Sequence, residues 1–383
     1  MKLLIYQGKS YLQFDLYEMC KDKNISYEVF EWEFEDKNSD EPFKKWFVDT
    51  VDSNEYDAVL SINYYPVISE ACMKKEMKYI AWCYENPLNA ERIEETINNP
   101  INYVFLFDKV QFWNYAQKGI ETVYHLPLGV NAKRLSKLRL SECDYQNYNA
   151  EVSFVGNLYD SKMYELLEPM NEYTQGFLKS IMHLQSQIYG YFLFDELITE
   201  KVIKNINTQY CAQGVKRNLR KEELISFMAS EVTRNERLLF LNLCGRRYST
   251  KLYSDDKCNL LKDVLQCGSV DYVTEMPKVF AASKINLNVT HRMVQTGIPL
   301  RTLDIMGAGG FLLSNFQEEL TEYFINEEDM VIYESMEDAL DKMEFYLSHE
   351  ELRRKIAENG RKKTLEEHTL QERLKKIIEV VGI

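Results

Sequence analysis

The chain has 383 residues, 45% hydrophobic and 28% charged, which fits two folded domains and excludes long disorder. Its formal net charge of -14 repels phosphate backbones and acidic membrane surfaces over roughly 10 Å, which excludes a broad nucleic-acid interface but leaves room for a local basic pocket. No apolar run reaches the length of about 18 residues that a membrane-spanning helix needs.

The opening MKLLIY has one charge and a short apolar run, and reads as a strand at 3–6 rather than the apolar core of a signal peptide. Further strand signals follow at 27–32, 56–62, 78–83, 103–107 and 122–126, with helical stretches at 67–75, 89–97 and 110–118 between them. The runs are nearly continuous rather than alternating, as expected for a parallel sheet covered on both faces. Ligands of such sheets bind beyond the carboxyl ends of the strands. That rule selects Gly8, Lys9, Asn63, Tyr84, Glu85, Asn86 and Asp108.

A polar stretch at 131–149 reads as a linker, so a first domain spans 1–148 and a second 149–369. The second opens on a strand at 151–155 that ends in Gly156-Asn157. Helical periodicity without a strong strand then marks an insertion at about 165–265. Strand signals return at 269–272, 285–289, 310–314 and 331–333, and the tail is helical at 337–347, 350–359 and 370–381.

Four segments carry candidate chemistry. In KINLNVTHRMVQTGIPLRTLDIMGAGGFLLSN, a strand leads to a polar loop with His291 and Arg292, and Pro299 opens a helix bearing Arg301 and Asp304. A helix N-terminus beside an arginine attracts phosphate. Asp304 follows three residues later on the same face, where it can accept from a ribose, and Gly309 allows close backbone approach. The alternative is a plain helix end with a surface Arg–Asp pair. In EVSFVGNLYD, Gly156 and Asn157 can offer backbone N–H groups to a diphosphate, or form an ordinary turn. In YIAWCYENP, Glu85 can position or deprotonate an acceptor hydroxyl, or be a surface residue. In GSVDYVTEMP, a strand bearing Asp271 and Tyr272 leads to a turn whose backbone groups can hold a base with Tyr272 as a stacking face, or Tyr272 is simply buried.

The five histidines show no metal-ligand spacing, and no metal site is expected. The eight cysteines contain no C-x-x-C pair and read as buried reduced thiols of a cytoplasmic protein.

The N-terminal half resembles the DUF3880 domain through YDAVLSINYYPVISEAC, YIAWCYENPL, YVFLFDKVQ and ETVYHLPLGVN. The C-terminal half resembles CgeB-like glycosyltransferases through EVSFVGNLY, GSVDYVTEMPKVFAASKINLNVT, GIPLRTLDIMGAGGFLLSN and HEELRRKIAENGRKKTLEEHT. The resemblance implies an α/β fold of GT-B type: two Rossmann-like domains facing a cleft, the second with the helical insertion. It implies transfer of a sugar from a nucleotide sugar, a UDP-sugar favoured, to a hydroxyl of a glycan, protein or small molecule. No metal or other cofactor is implied, and retention is slightly favoured. The donor lies mainly on the C-terminal domain, and the segment 370–383 crosses back to the first domain.

Carried over by position, Asp304 stands where retaining relatives place a ribose-binding Glu, and Thr296 where they place a Glu that contacts the donor sugar. Arg301 is implied to meet the diphosphate, with Lys162 as a second cation, and Glu85 to serve on the acceptor side. The alternatives are a GT-B protein that binds nucleotide or glycan without turnover, and a structural protein of an envelope or spore-surface assembly.

Overall fold

The computed structural model describes every residue of the chain except Tyr11, Glu35, Lys37, Asn54, Asn89 and Glu91. The helical stretch expected at 89–97 therefore begins partly outside the described residues, and the helix found there is Ile93–Thr96. The chain divides into two compact units. One comprises 1–134, 296–303 and 364–383; the other comprises 135–295 and 304–363.

The first unit holds a six-stranded, all-parallel sheet of β1 (Lys2–Tyr6), β2 (Ser26–Phe30), β3 (Ala58–Ile62), β4 (Tyr79–Trp82), β5 (Asn102–Leu106) and β6 (Val123–His125). The spatial order is β2-β1-β3-β4-β5-β6, with Leu3 opposite Ala58 and Val59 opposite Tyr79. Successive residues of a strand face opposite sides. Val59, Tyr79 and Ala81 accordingly join one apolar cluster, while Leu60, Ile80 and Trp82 join the other. The second cluster also contains Leu370, Leu374, Ile377 and Val381 of the helix Leu370–Val381, which packs within this unit. Each such buried aliphatic side chain stabilises the fold by about 1.5–3 kcal/mol.

The second unit holds another six-stranded parallel sheet, of β7 (Val152–Val155), β8 (Thr250–Tyr253), β9 (Leu265–Gln266), β10 (Ile285–Asn288), β11 (Leu312–Asn315) and β12 (Val331–Tyr333). Its order is β12-β11-β10-β7-β8-β9, the doubly wound arrangement in which chain progression reverses between β7 and β10.

Two expectations need correction here. The insertion is not purely helical up to 265, because β8 lies inside that span; its Leu252 is buried and its Lys251 half-exposed. The strand expected at 269–272 is instead a turn. Gly268 has a φ of 79°, and the Asp271 carboxylate accepts from the N–H groups of Val273 and Thr274 at 3.1 and 2.7 Å.

The insertion fills the crossover from β7 to β8. Its helices Glu172–Ser186 and Glu200–Ala212 share a core with the first half of the 25-residue helix Lys221–Gly245, through Leu224, Ile225, Met228 and Val232. The second half of that long helix packs Leu238, Phe240, Leu241 and Cys244 against the sheet. The crossing point between the two cores, at 233–237, thus carries a polar stretch into the interior.

All eight cysteines are free, but Cys143, Cys211 and Cys267 are exposed rather than buried. Among the described residues, no helix is long and apolar enough to cross a membrane.

Candidate functional site

The reversal between β7 and β10 leaves a crevice beyond the carboxyl ends of those strands, lined by the loops after Val155 and after Asn288. Gly156 and Asn157 begin the first loop. The loop turns through positive φ at Tyr159 (57°) and Lys162 (48°), and Asp256 holds the Leu158 N–H at 2.5 Å. Lys162 is exposed at its end.

Between the two loops stands Arg237, from the long helix. Its side chain is 7% exposed. Nε and Nη2 donate to the carbonyl of Val289 at 3.1 and 2.5 Å, and Nη1 donates to the carbonyl of Asn157. Its guanidinium lies 5.1 Å from the Phe154 ring centre and 4.8 Å from that of Tyr159. Among the described residues no carboxylate forms an ion pair with it, and burial lowers its pKa. A buried cation held only by carbonyls and rings leaves a positive field at the crevice. Sequence reasoning missed Arg237, whose partners lie 80 and 52 positions away.

His291 lies beside it. Its ring is 4.6 Å from that of Tyr159, Nε2 is 3.2 Å from Ser230 Oγ, and Nδ1 accepts from the Met293 N–H at 3.2 Å. Burial, then the charge of Arg237, push its pKa down to about 3. His291 therefore stays neutral while an unfolded chain would take up a proton below about pH 6.5. The stability this represents is complete above that pH and is lost as pH falls toward 3. Between pH 6 and 5, urea unfolding is expected to lose about 1 kcal/mol that the His291→Gln variant does not lose. Equal pH slopes in the two proteins would contradict this.

Arg292, expected at the donor, is committed elsewhere. Nε donates to Glu236 at 2.7 Å, Nη2 pairs with the same carboxylate, and Nη1 donates to the Ile188 carbonyl at 2.9 Å. Its guanidinium also lies 4.2 Å from the centre of the Tyr189 ring. Both members of the pair are buried, so Arg292 joins the insertion to the loop after β10.

Asp304 is buried and accepts from the Tyr272 hydroxyl at 3.1 Å, so these two expected residues do come together. Asp271 caps its own turn. Gly309, with a φ of 85°, precedes β11 and lies beside Arg361, at the amino edge of the sheet and opposite the crevice. Arg301 is half-buried in the first turn of helix Leu300–Gly307; it groups with the first unit, and Asp304 with the second.

Thr296 also groups with the first unit. Its N–H and that of Gly297 both donate to Asp108 at 3.1 Å, and its hydroxyl lies 3.3 Å from the other carboxylate oxygen. That oxygen also caps helix Lys109–Ala116 through the Gln111 N–H. A Cβ at Gly297 would fall 2.9 Å from the Phe107 ring and 3.0 Å from the Asp108 backbone, so only glycine fits. Thr296 and Asp108 are thus bound to each other.

At the carboxyl edge of the first sheet, Gly8 and exposed Lys9 follow β1, with Tyr65 Oη 3.3 Å from where a Gly8 Cβ would stand. The Asn63 side chain accepts from the Tyr84 N–H at 2.7 Å and so joins the loops after β3 and β4. Glu85 is exposed on the latter loop, and Asn86 precedes Pro87 through a cis bond.

Residues 220–379 match the family model described as "Glycosyl transferase-like". Comparison with curated proteins returns no match. Among solved structures, HepE of Anabaena in complex with UDP and glucose is similar at 11% identity with a TM-score of 0.53, covering 100% of this chain and 99% of that one. Sucrose-phosphate synthase from Thermosynechococcus elongatus gives 9% identity, a TM-score of 0.58 and coverage of 100% and 98%. WaaG, a glycosyltransferase involved in lipopolysaccharide biosynthesis, gives 12%, 0.53 and 100% of both chains. The chain has the two-sheet α/β fold of GT-B glycosyltransferases.

Proposed function

We propose that the chain is a glycosyltransferase that moves a sugar from a nucleotide-sugar donor to a hydroxyl acceptor. The observation that carries this reading is Arg237, a buried guanidinium without a carboxylate partner among the described residues, at the strand reversal of the second sheet. The match over 220–379 supports the reaction class, and the UDP complex of HepE favours a UDP-sugar.

In this reading the acceptor oxygen forms a bond to the anomeric carbon as the bond from that carbon to the diphosphate breaks. The electron pair leaves on the diphosphate. Arg237, the Asn157 N–H, Lys162 and Arg301 offset its charge; the Gly156 N–H, expected to join them, donates instead to the Tyr253 carbonyl at 3.1 Å. Fixed donors of this kind commonly supply the largest catalytic contribution. Asp304, held by Tyr272, receives the ribose hydroxyls, and Glu85 receives the acceptor proton. The reading retains the resemblance of the N-terminal half to DUF3880 and of the C-terminal half to CgeB-like proteins. The free cysteines suit a cytoplasmic setting.

A thermal-shift series with UDP, GDP, ADP, CDP and dTDP tests the donor site. A nucleotide at 100 times its Kd stabilises by about 2.7 kcal/mol. One nucleotide is expected to stand out, UDP first, with the shift unchanged by EDTA and lost in Asp304→Ala. No response to any of the five, from a folded protein, would refute the donor site. A response without transfer to any acceptor would mark a binding protein.

A further inference from the structure

Two adjoining cavities lie at the other edge of the second sheet, of about 450 and 330 Å³. The larger is lined by Glu151, Ser249, Lys284 and Phe311, each just before β7, β8, β10 or β11. It therefore opens under the amino ends of four strands. β7 is four residues long, which separates this edge from the crevice by about 13 Å.

One face of the 18-residue helix Glu350–Glu367 closes both cavities. Arg353, Ala357 and Arg361 stand at i, i+4 and i+8 and so share that face. Arg353 is only 6% exposed, yet just one of its nitrogens has a protein acceptor: Nη1 donates to the Tyr346 carbonyl at 2.9 Å. Its Nε and Nη2 have none among the described residues, and no carboxylate pairs with it. Burial lowers its pKa; Glu350 acts against this, and neighbouring Arg354 adds to it. Arg361 contributes Nη2 to the Leu135 carbonyl at 3.1 Å, while its buried Nε has no partner. Arg354 and Lys284 also face the cavities; they are exposed and already pair with Glu350 and Glu151 at 2.5 and 3.4 Å. An arginine buried without a counter-charge costs stability unless an anion meets it. Arg353 lines the larger cavity and half-buried Arg361 the smaller, eight residues or about 12 Å apart along the helix, so it is Arg353, near the helix's amino end, whose unpartnered Nε and Nη2 suit phosphate oxygens in the larger cavity.

We propose that this amino-edge pocket is a second anion site, separate from the crevice, that takes a small phosphorylated molecule whose phosphate meets Arg353 in the larger cavity. The site binds through the phosphate, and the larger cavity has room for the organic part.

The probes are inorganic phosphate and pyrophosphate, added to the full chain at constant ionic strength against chloride. Binding is followed by calorimetry and located by hydrogen exchange. Protection is expected at 281–284 and 350–354, with affinity at least tenfold weaker in Arg353→Gln. Because Arg353 is buried, the exposed rim variant Lys284→Glu provides a second reading and should also weaken binding severalfold while leaving the melting temperature in chloride unchanged. Protection confined to 156–162 and 289–293 would place the anion in the crevice and overturn the proposal. So would unchanged affinity in both variants, or no binding by either probe.

Discussion

Replacing Arg237 with methionine is expected to lower sugar transfer by a factor of about 10²–10³, or roughly 3–4 kcal/mol of transition-state stabilisation. Methionine keeps much of the bulk that packs between Phe154 and Tyr159 and removes the charge. It also removes the donors to Val289 and Asn157, at about 1 kcal/mol each. A domain with ordinary stability of about 5–15 kcal/mol tolerates that loss, so the variant remains folded. The separation of effects is the test. Turnover and nucleotide affinity should fall far more than the melting temperature accounts for, and Arg237→Lys should restore only part of each, since an ammonium cannot reproduce the fork. A folded Arg237→Met protein with unchanged nucleotide affinity and turnover would reduce Arg237 to a loop fastener.

The second large effect concerns stability. Glu236→Ala leaves the buried Arg292 without its carboxylate and removes the acceptor of the Tyr189 hydroxyl. Breaking one side of a buried pair destabilises by about 3–5 kcal/mol. The pair ties residues 186 and 188 of the insertion to the loop after β10, so the insertion should loosen along with the site. Equilibrium urea unfolding measures the loss. The double variant Glu236→Leu/Arg292→Met should recover most of it, because two apolar groups of similar volume remove both buried charges together. A loss under 1 kcal/mol in Glu236→Ala would show that water reaches Arg292 and that the pair is not structural.

The strands of the first sheet were legible because both of its faces are covered. Runs such as Ala58–Ile62 are apolar except for Ser61, and a nearly continuous apolar run is the mark of a buried parallel strand. The loop after β7 was legible for a similar local reason: a strand that ends in Gly-Asn announces its own turn. β8 was harder, since Thr250–Tyr253 offers four residues with one lysine among them, next to a long helical pattern. The turn at Asp271 was misread because side-chain capping there competes with strand geometry, and periodicity carries no sign of it.

The candidate site divides the same way. Tyr272 and Asp304 lie within motifs and meet as neighbours in space. Arg237 and Glu236 lie in none. Their local signal is the polar trio Thr233, Glu236 and Arg237 on the buried side of a helix that is otherwise apolar there. That pattern marks buried polar business without naming its partners, which come from 157, 189, 289 and 292. Arg292 shows the converse: its guanidinium meets a buried glutamate 56 positions away, which no local pattern discloses. Gly309 was placed by its motif on the ligand side, whereas the direction of β11 puts it at the amino edge.

The crevice between β7 and β10 is expected to hold the nucleotide diphosphate of a sugar donor. Hydrogen exchange of the full chain with and without saturating UDP-glucose tests it most directly. Slowed exchange is expected at 156–162 and 289–295, and is expected to be absent in Arg237→Met. Saturating UDP-glucose that leaves those two loops unprotected, or protects only strands of the first sheet, would contradict it.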